Sequence, residues 1–158
     1  MEELKNQLND LLEIAKHAAS EAGELLVSCP PESRLVEKHL LRDSKILADR
    51  ESEKIILDVL SSQSDYSILT EETGLVQNSS KPASNDPFWV VDPLDGTINF
   101  AHSFPIFGPS IGLCRGNEPL VGVIADPLKK ELFYAVKGSG AYVNDLYNKG
   151  TPKRIHVS

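Results

Sequence analysis

The sequence predicts an α+β fold, two long helices packed on one face of an antiparallel β-sheet of about six strands, and three observations carry that expectation. Leucine and alanine recur at three- and four-residue steps between Leu4 and Leu26. Beyond Ser61 that period gives way to short β-branched and aromatic runs. The runs are separated by turns compact enough for hairpins, so successive strands are expected to lie antiparallel.

Taken in order, Leu4, Leu8, Leu11, Leu12, Ala15, Ala18, Ala19, Ala22, Leu25 and Leu26 form one apolar stripe on a helix of about six turns. Cys29-Pro30-Pro31 ends it, because proline has no N–H and crowds the preceding turn. A second amphipathic helix is expected from about Asp49 to Leu60. Ser52, Ile55, Ile56, Val59 and Leu60 share its inner side, and Glu51, Glu53, Lys54 and Asp58 face water. Strands are expected at 66–70, 88–91, 111–114, 120–124, 132–136 and 141–143, where β-branched and aromatic residues concentrate. Turn residues at 115–119, 126–130 and 137–140 join the last four into a meander. The Ser-, Asn- and Pro-rich stretch Gln77–Asp86 reads as a polar surface loop, and Trp89 as a core residue between sheet and helix.

A length of 158 residues suits one domain. Hydrophobic residues at 41% and charged residues at 25% place the chain with globular rather than disordered sequences. Against 16 Lys and Arg stand 23 Asp and Glu, a net charge of -7. With no basic block, counterion displacement cannot drive binding to nucleic acid or to an anionic membrane, and neither is expected as a partner. An acidic site that gathers cations stays open. Cys29 and Cys114, far apart in the sequence, are read as thiols rather than as a disulfide. The acidic, amphipathic N-terminus lacks a signal-peptide pattern, and no run reaches the roughly 20 apolar residues of a membrane span. A cytoplasmic protein is expected.

The chemistry concentrates in the segment Trp89–Phe100. An apolar strand runs into Asp92 and Asp95, so both acids stand where the chain leaves a sheet, and Pro93 holds Asp92 extended. The two carboxylates and the Leu94 carbonyl then offer hard oxygen donors suited to Mg2+. Gly96 and Thr97 follow and open a short helical turn whose N–H groups favour phosphate. Upstream, the segment Ile68–Gly74 ends a second apolar strand in adjacent acids, so Glu71 or Glu72 completes the cluster. Singly, Asp-Pro, Asp-Gly and paired glutamates are ordinary turn and strand-end residues. Their coincidence beside a Gly-Thr turn points to metal-assisted phosphate chemistry. Enzymes that form an aspartyl-phosphate place their two acids two residues apart, whereas Asp92 and Asp95 are three apart with Pro93 between them. That spacing favours attack by water activated by a divalent ion over a carboxylate nucleophile.

The string Asp92-Pro-Leu-Asp-Gly-Thr-Ile-Asn-Phe100, followed by Phe104-Pro105 and Ser110-Ile-Gly112, resembles the signature of the inositol monophosphatase family. That family lies within the lithium-sensitive, Mg2+-dependent sugar and nucleotide phosphatases. Glu71-Glu72, the upstream Lys38, Asp43 and Asp49, and Gly138-Ser-Gly-Ala-Tyr142 extend the resemblance over nearly the whole chain. It implies the N-terminal half of the sugar-phosphatase fold and hydrolysis of a small-molecule phosphate monoester such as inositol 1-phosphate. By the same resemblance Glu71, Asp92 and the Leu94 carbonyl hold one Mg2+, and Asp92 with Asp95 contributes to a second. Thr97 with Asp49 orients the attacking water, the Gly96 and Thr97 amides grip phosphate oxygens, and Glu71, Leu94 and Asp95 border the substrate. Asp49 taken by itself is equally an N-cap. His102 reads as a surface or packing histidine rather than a catalytic acid.

Two departures from the family pattern stand out. Ile46 occupies a position where the family usually has Thr. The second α/β half, with a Trp-Asp segment that supplies a further metal-binding Asp, has no counterpart in these residues. Residues 1–158 are therefore expected to form a single N-terminal α+β domain, with an open cleft, turnover lowered by orders of magnitude and an exposed apolar surface. Such a surface favours a homo-oligomer, for instance a dimer, or a partner that supplies the other half. Two other readings share these residues: a non-catalytic module for metal or phosphate binding or for partner docking, and a 3′-nucleotidase or fructose-1,6-bisphosphatase of the same group.

Overall fold

The leucine and alanine stripe folds as α1, Glu2–Ser28. The computed structural model describes residues 2–29, 40–76, 86–147 and 149–156, with backbone alone at 2–4 and 40–46. Ala15, Ala18, Ala19 and Ala22 are wholly buried, and their methyl side chains let α1 lie close on its neighbours. The second helix, α2, spans Leu40–Gln63 and starts well before the expected Asp49. No proline or glycine interrupts the residues from Leu40 to Asp49, so nothing there stops the helix from extending. Asp49 is consequently inside α2, and the N-cap reading of it fails. Pro30-Pro31, Lys38 and the loop at 77–85 lie outside the described residues, as do the side chains of Asp43 and Ile46.

Among the described residues eight strands form one sheet: β1 (Ile68–Thr70), β2 (Gly74–Val76), β3 (Phe88–Asp95), β4 (Gly108–Arg115), β5 (Glu118–Asp126), β6 (Glu131–Val136), β7 (Gly140–Asp145) and β8 (Lys153–Ile155). Their order is β2-β1-β3-β4-β5-β6-β7-β8. The meander from β3 to β8 is antiparallel throughout, as its turns predict. Two corrections apply. β2 and β8 add edge strands of three residues each, too short to show a period in the sequence. β1 pairs with β3 in parallel, because β2 returns along the outer edge of β1 and β3 then enters on the other side.

Among the described residues, only one face of the sheet is covered. Trp89, Val91, Ile111, Leu113, Val121, Val123 and Leu132 meet Ile56 and Leu60 of α2 and the α1 stripe in the main core. Trp89 is fully buried, and its indole N–H donates to Ser64 Oγ at 2.8 Å. On the opposite face Leu69, Val90 and Ile124 are 40%, 38% and 52% exposed, so these apolar residues remain in water. A second cluster of Leu26, Ala48, Leu94, Phe100 and Phe107 ties the end of β3 to both long helices. Within it the Phe100 and Phe107 rings meet edge to face, 5.0 Å apart at 88°, a favoured aromatic geometry. Cys29 and Cys114 are not joined in a disulfide. Among the described residues no helix is long and apolar enough to cross a membrane.

Candidate phosphate and cation site

Asp92 and Asp95 are three residues apart in one strand, a spacing that in regular β-structure sends side chains to opposite faces. The register of β3 on β4 resolves this. Asp92 pairs with Ser110 and Asp95 with Gly108, so β3 spends one residue more than its partner over that stretch. An extra residue restores the parity and turns both acids toward the open face. Pro93 occupies the bulge, where its missing N–H costs no ladder bond.

The chain then leaves the sheet at Gly96, whose φ of 81° precedes α3, the short helix Thr97–Ala101. Glycine is required there twice over: the conformation is left-handed, and a Cβ would lie 2.8 Å from the Ile106 carbonyl. Thr97 donates its hydroxyl to the Leu94 carbonyl at 3.0 Å, and Asn99 donates Nδ2 to the Ile106 carbonyl at 2.8 Å. The expected helical turn after Asp95 is present. His102 caps the far end of α3 through its backbone and is exposed, in keeping with its reading as a surface residue.

Glu71 is brought to the same place by the parallel pairing. Its N–H donates to the Val91 carbonyl at 3.2 Å, which carries the β1–β3 ladder one residue past Thr70. The Glu71 carboxyl is then within hydrogen-bond reach of Asp92. Glu72 is exposed on the turn, its N–H donating to Thr70 Oγ1 at 3.2 Å. Of the two glutamates left open by the sequence, Glu71 is the one that meets Asp92.

Burial, first, raises the Asp92 carboxyl above its ordinary value of 3.8. The Leu94 N–H, which donates to Asp92 Oδ1 at 3.1 Å, opposes that shift. The negative charges of Glu71 and Asp95 and the hydrogen bond with Glu71 add to it. Ionised carboxyls offer only acceptors, so two of them held this close favour a cation between them.

Asp49 is nine-tenths buried on α2, one helical turn before Ser52 and Glu53. Those two residues are the ones sequence reasoning missed. Ser52 donates Oγ–H to the Pro93 carbonyl at 2.7 Å, inside the bulge. Glu53, expected to face water, is only 6% exposed. One of its carboxylate oxygens accepts from the Thr70 hydroxyl and from the Thr73 N–H at 3.0 Å, and the other from the Thr73 hydroxyl at 2.8 Å. A signal was present: Asp49, Ser52, Glu53, Ile56 and Leu60 fall on one stripe at three- and four-residue steps.

Two clefts open beside these acids. One, of about 540 Å³, includes Glu71, Asp92 and Ser110 in its walls, and the other, of about 240 Å³, includes Asp95, Gly96 and Asn99. Among the described residues no three acid, histidine or cysteine side chains close on one point, so these residues form no closed cage. A pair of carboxylates with a main-chain carbonyl two residues along is nevertheless a fitting donor set for a hard cation that keeps much of its own water. Mg2+ is commonly held by one or two carboxylates together with substrate phosphate.

The inositol monophosphatase family pattern matches residues 7–158. An inositol monophosphatase of Mesembryanthemum crystallinum is 38% identical over 152 residues, which are 96% of this chain and 53% of that protein. The Nus factor SuhB of Haemophilus influenzae is 36% identical over 150 residues, 93% of this chain and 55% of the other. Among solved structures, an inositol monophosphatase from Anabaena superposes with a TM-score of 0.71 at 38% identity, covering 87% of this chain and 48% of that one. The chain thus spans about half the length of the relatives it matches. With the family pattern running across both acid-bearing strands and the meander behind them, the chain belongs to the inositol monophosphatase family.

Proposed function

We propose that this chain is the cation- and phosphate-binding part of a cytoplasmic, Mg2+-dependent phosphomonoesterase that acts on inositol 1-phosphate or a related sugar phosphate. The contact between the Glu71 and Asp92 carboxyls, beside Asp95 and the Gly96–Thr97 turn, carries the proposal. Glu71, Asp92 and the Leu94 carbonyl would hold one Mg2+, and Asp92 with Asp95 part of a second. The chemistry a bound Mg2+ supplies there is neutralisation of the paired carboxylates and Lewis-acid polarisation of a phosphoryl oxygen.

The remaining steps belong to the chain's own groups. The Gly96 and Thr97 amides, at the start of α3, donate to phosphate oxygens. Thr97, its hydroxyl oriented by the Leu94 carbonyl, and Asp49, buried on α2, would align a water for attack in line with the leaving alcohol. Asp95, exposed at the mouth of its cleft, would face the substrate's hydroxyl groups. Residues 1–158 act in this reading as one domain. A second copy, or a chain that supplies the other half of the relatives' length, would cover the open face around Leu69, Val90 and Ile124.

A binding module without turnover is the second reading. It is favoured by the absence of a closed set of three ligands among the described residues and by a relative whose name is Nus factor rather than phosphatase. Phosphate release from inositol 1-phosphate with Mg2+, with and without Li+, separates the two. Under the phosphatase reading the chain exceeds its Asp95→Asn variant and Li+ lowers the rate. Equal release by chain and variant would leave the binding module. Fructose 1,6-bisphosphate and a nucleoside 3′-phosphate in the same assay rank the substrate classes.

A further inference from the structure

Neighbouring residues of α2 grip the two acid-bearing segments separately. Ser52 is fully buried and bonds the carbonyl of Pro93, between Asp92 and Leu94. Glu53 takes three hydrogen bonds, all from Thr70 and Thr73, which bracket Glu71 and Glu72. A carboxylate with so little exposure is tolerated only where donors satisfy it. Here every one of those donors belongs to Thr70 or Thr73, on either side of Glu71 and Glu72.

That turn needs holding. Glu71 is exposed and sits against Asp92, a group of the same charge. Of the bonds that tie the turn to the sheet, the Glu71 N–H to Val91 carbonyl bond is the last of the β1–β3 ladder. Beyond that bond and the Thr70–Gly74 pairing of β1 with β2, the hydrogen bonds to Glu53 hold the turn from beneath. We propose that Ser52 and Glu53 are positioning residues: α2 fixes the Glu71 turn and the Asp92 bulge at one separation, so that two mutually repelling carboxyls stay together ready for a cation. This rests on the cation reading of Glu71 and Asp92 and adds to it the parts of α2 that set their spacing. Neither residue touches the cation or the substrate.

Backbone hydrogen exchange and Mg2+ titration of the whole chain test it together, in the parent, Glu53→Ala, Glu53→Gln and Ser52→Ala. In Glu53→Ala the amides of Glu71, Glu72 and Thr73 should exchange about tenfold faster or more, the mark of an easier local opening, while those of Val123 and Leu132 keep the parent's rates. Mg2+ affinity should fall by about 10–100-fold, as when an outer hydrogen bond to a ligand is removed. Glu53→Gln retains the shape and one acceptor oxygen, and should recover part of both losses. If Glu53→Ala does not fold, Glu53→Gln provides the same comparison with smaller shifts, and Ser52→Ala provides its counterpart at the bulge, read at the Leu94 amide. Unchanged exchange at Glu71–Thr73 would overturn the proposal. So would faster exchange with the parent's Mg2+ affinity, since Glu53 would then be a structural acid only. A parent chain that binds no Mg2+ would defeat the cation reading by itself, and the exchange pattern would still decide whether α2 holds the turn.

Discussion

Trp89→Ala is expected to cost about 3–5 kcal/mol of folding stability, the range for emptying a large aromatic from a packed core. Trp89 is fully buried in the main cluster and stands on β3 three residues before Asp92. Truncation removes both its packing and the indole bond to Ser64, whose hydroxyl also donates to the Leu60 carbonyl at 3.1 Å. Ser64 therefore keeps a partner, and most of the loss comes from the void. Trp89→Phe, which restores most of the ring volume without the N–H, should lose markedly less. Since this is the only tryptophan in the chain, unfolding in urea is best followed by circular dichroism. A loss below about 1 kcal/mol for Trp89→Ala would be that of a surface site and would contradict its place in the core.

Asp92→Asn should reverse its effect on stability when Mg2+ is added. The Asp92 carboxyl lies above its ordinary 3.8 in the fold, through burial and then through the charges of Glu71 and Asp95. The folded state thus holds a proton more tightly than the unfolded state. Below pH 3.8 both states are protonated and the group contributes nothing. As pH rises from there through the folded pKa, ionisation progressively lowers stability, and above that pKa the penalty is complete. Asparagine abolishes the penalty, and its side-chain oxygen still accepts from the Leu94 N–H. Without divalent ions at pH 7 the variant should match or exceed the parent. With Mg2+ at roughly 100-fold excess over its Kd the parent gains about 2.7 kcal/mol and the variant little, so the order inverts. Urea unfolding with and without Mg2+ reads both halves. An equal Mg2+ gain in the variant would remove Asp92 from the cation site.

The sequence made the acids visible but not their partners. Asp92 and Asp95 were legible because each stands at the end of an apolar run beside Pro93 and a Gly-Thr turn, a coincidence that carries more than any one of those features. The bulge that turns both acids to one face depends on the register with β4, which no local pattern encodes. The choice between Glu71 and Glu72 is likewise made by the parallel pairing of β1 with β3, a contact distant in sequence. Glu53 was misread for a different reason. Its charge outweighed its spacing, although it lies on the same stripe as Ile56 and Leu60, because the threonines that satisfy it come from another element. The main helical stripe and the hairpins of the meander were plain, since each follows from apolar period and turn chemistry over a short stretch. β2 and β8 were not, being too short for either signal.

The phosphatase function proposed for this chain depends on Glu71 and Asp92 acting together as a divalent-cation site. Carboxyl 13C NMR across a Mg2+ titration tests this most directly. The Glu71 and Asp92 signals should move together along one saturable curve, with the exposed Glu51 carboxyl unmoved. Shifts confined to surface carboxyls, or movement of one of the pair without the other, would contradict it.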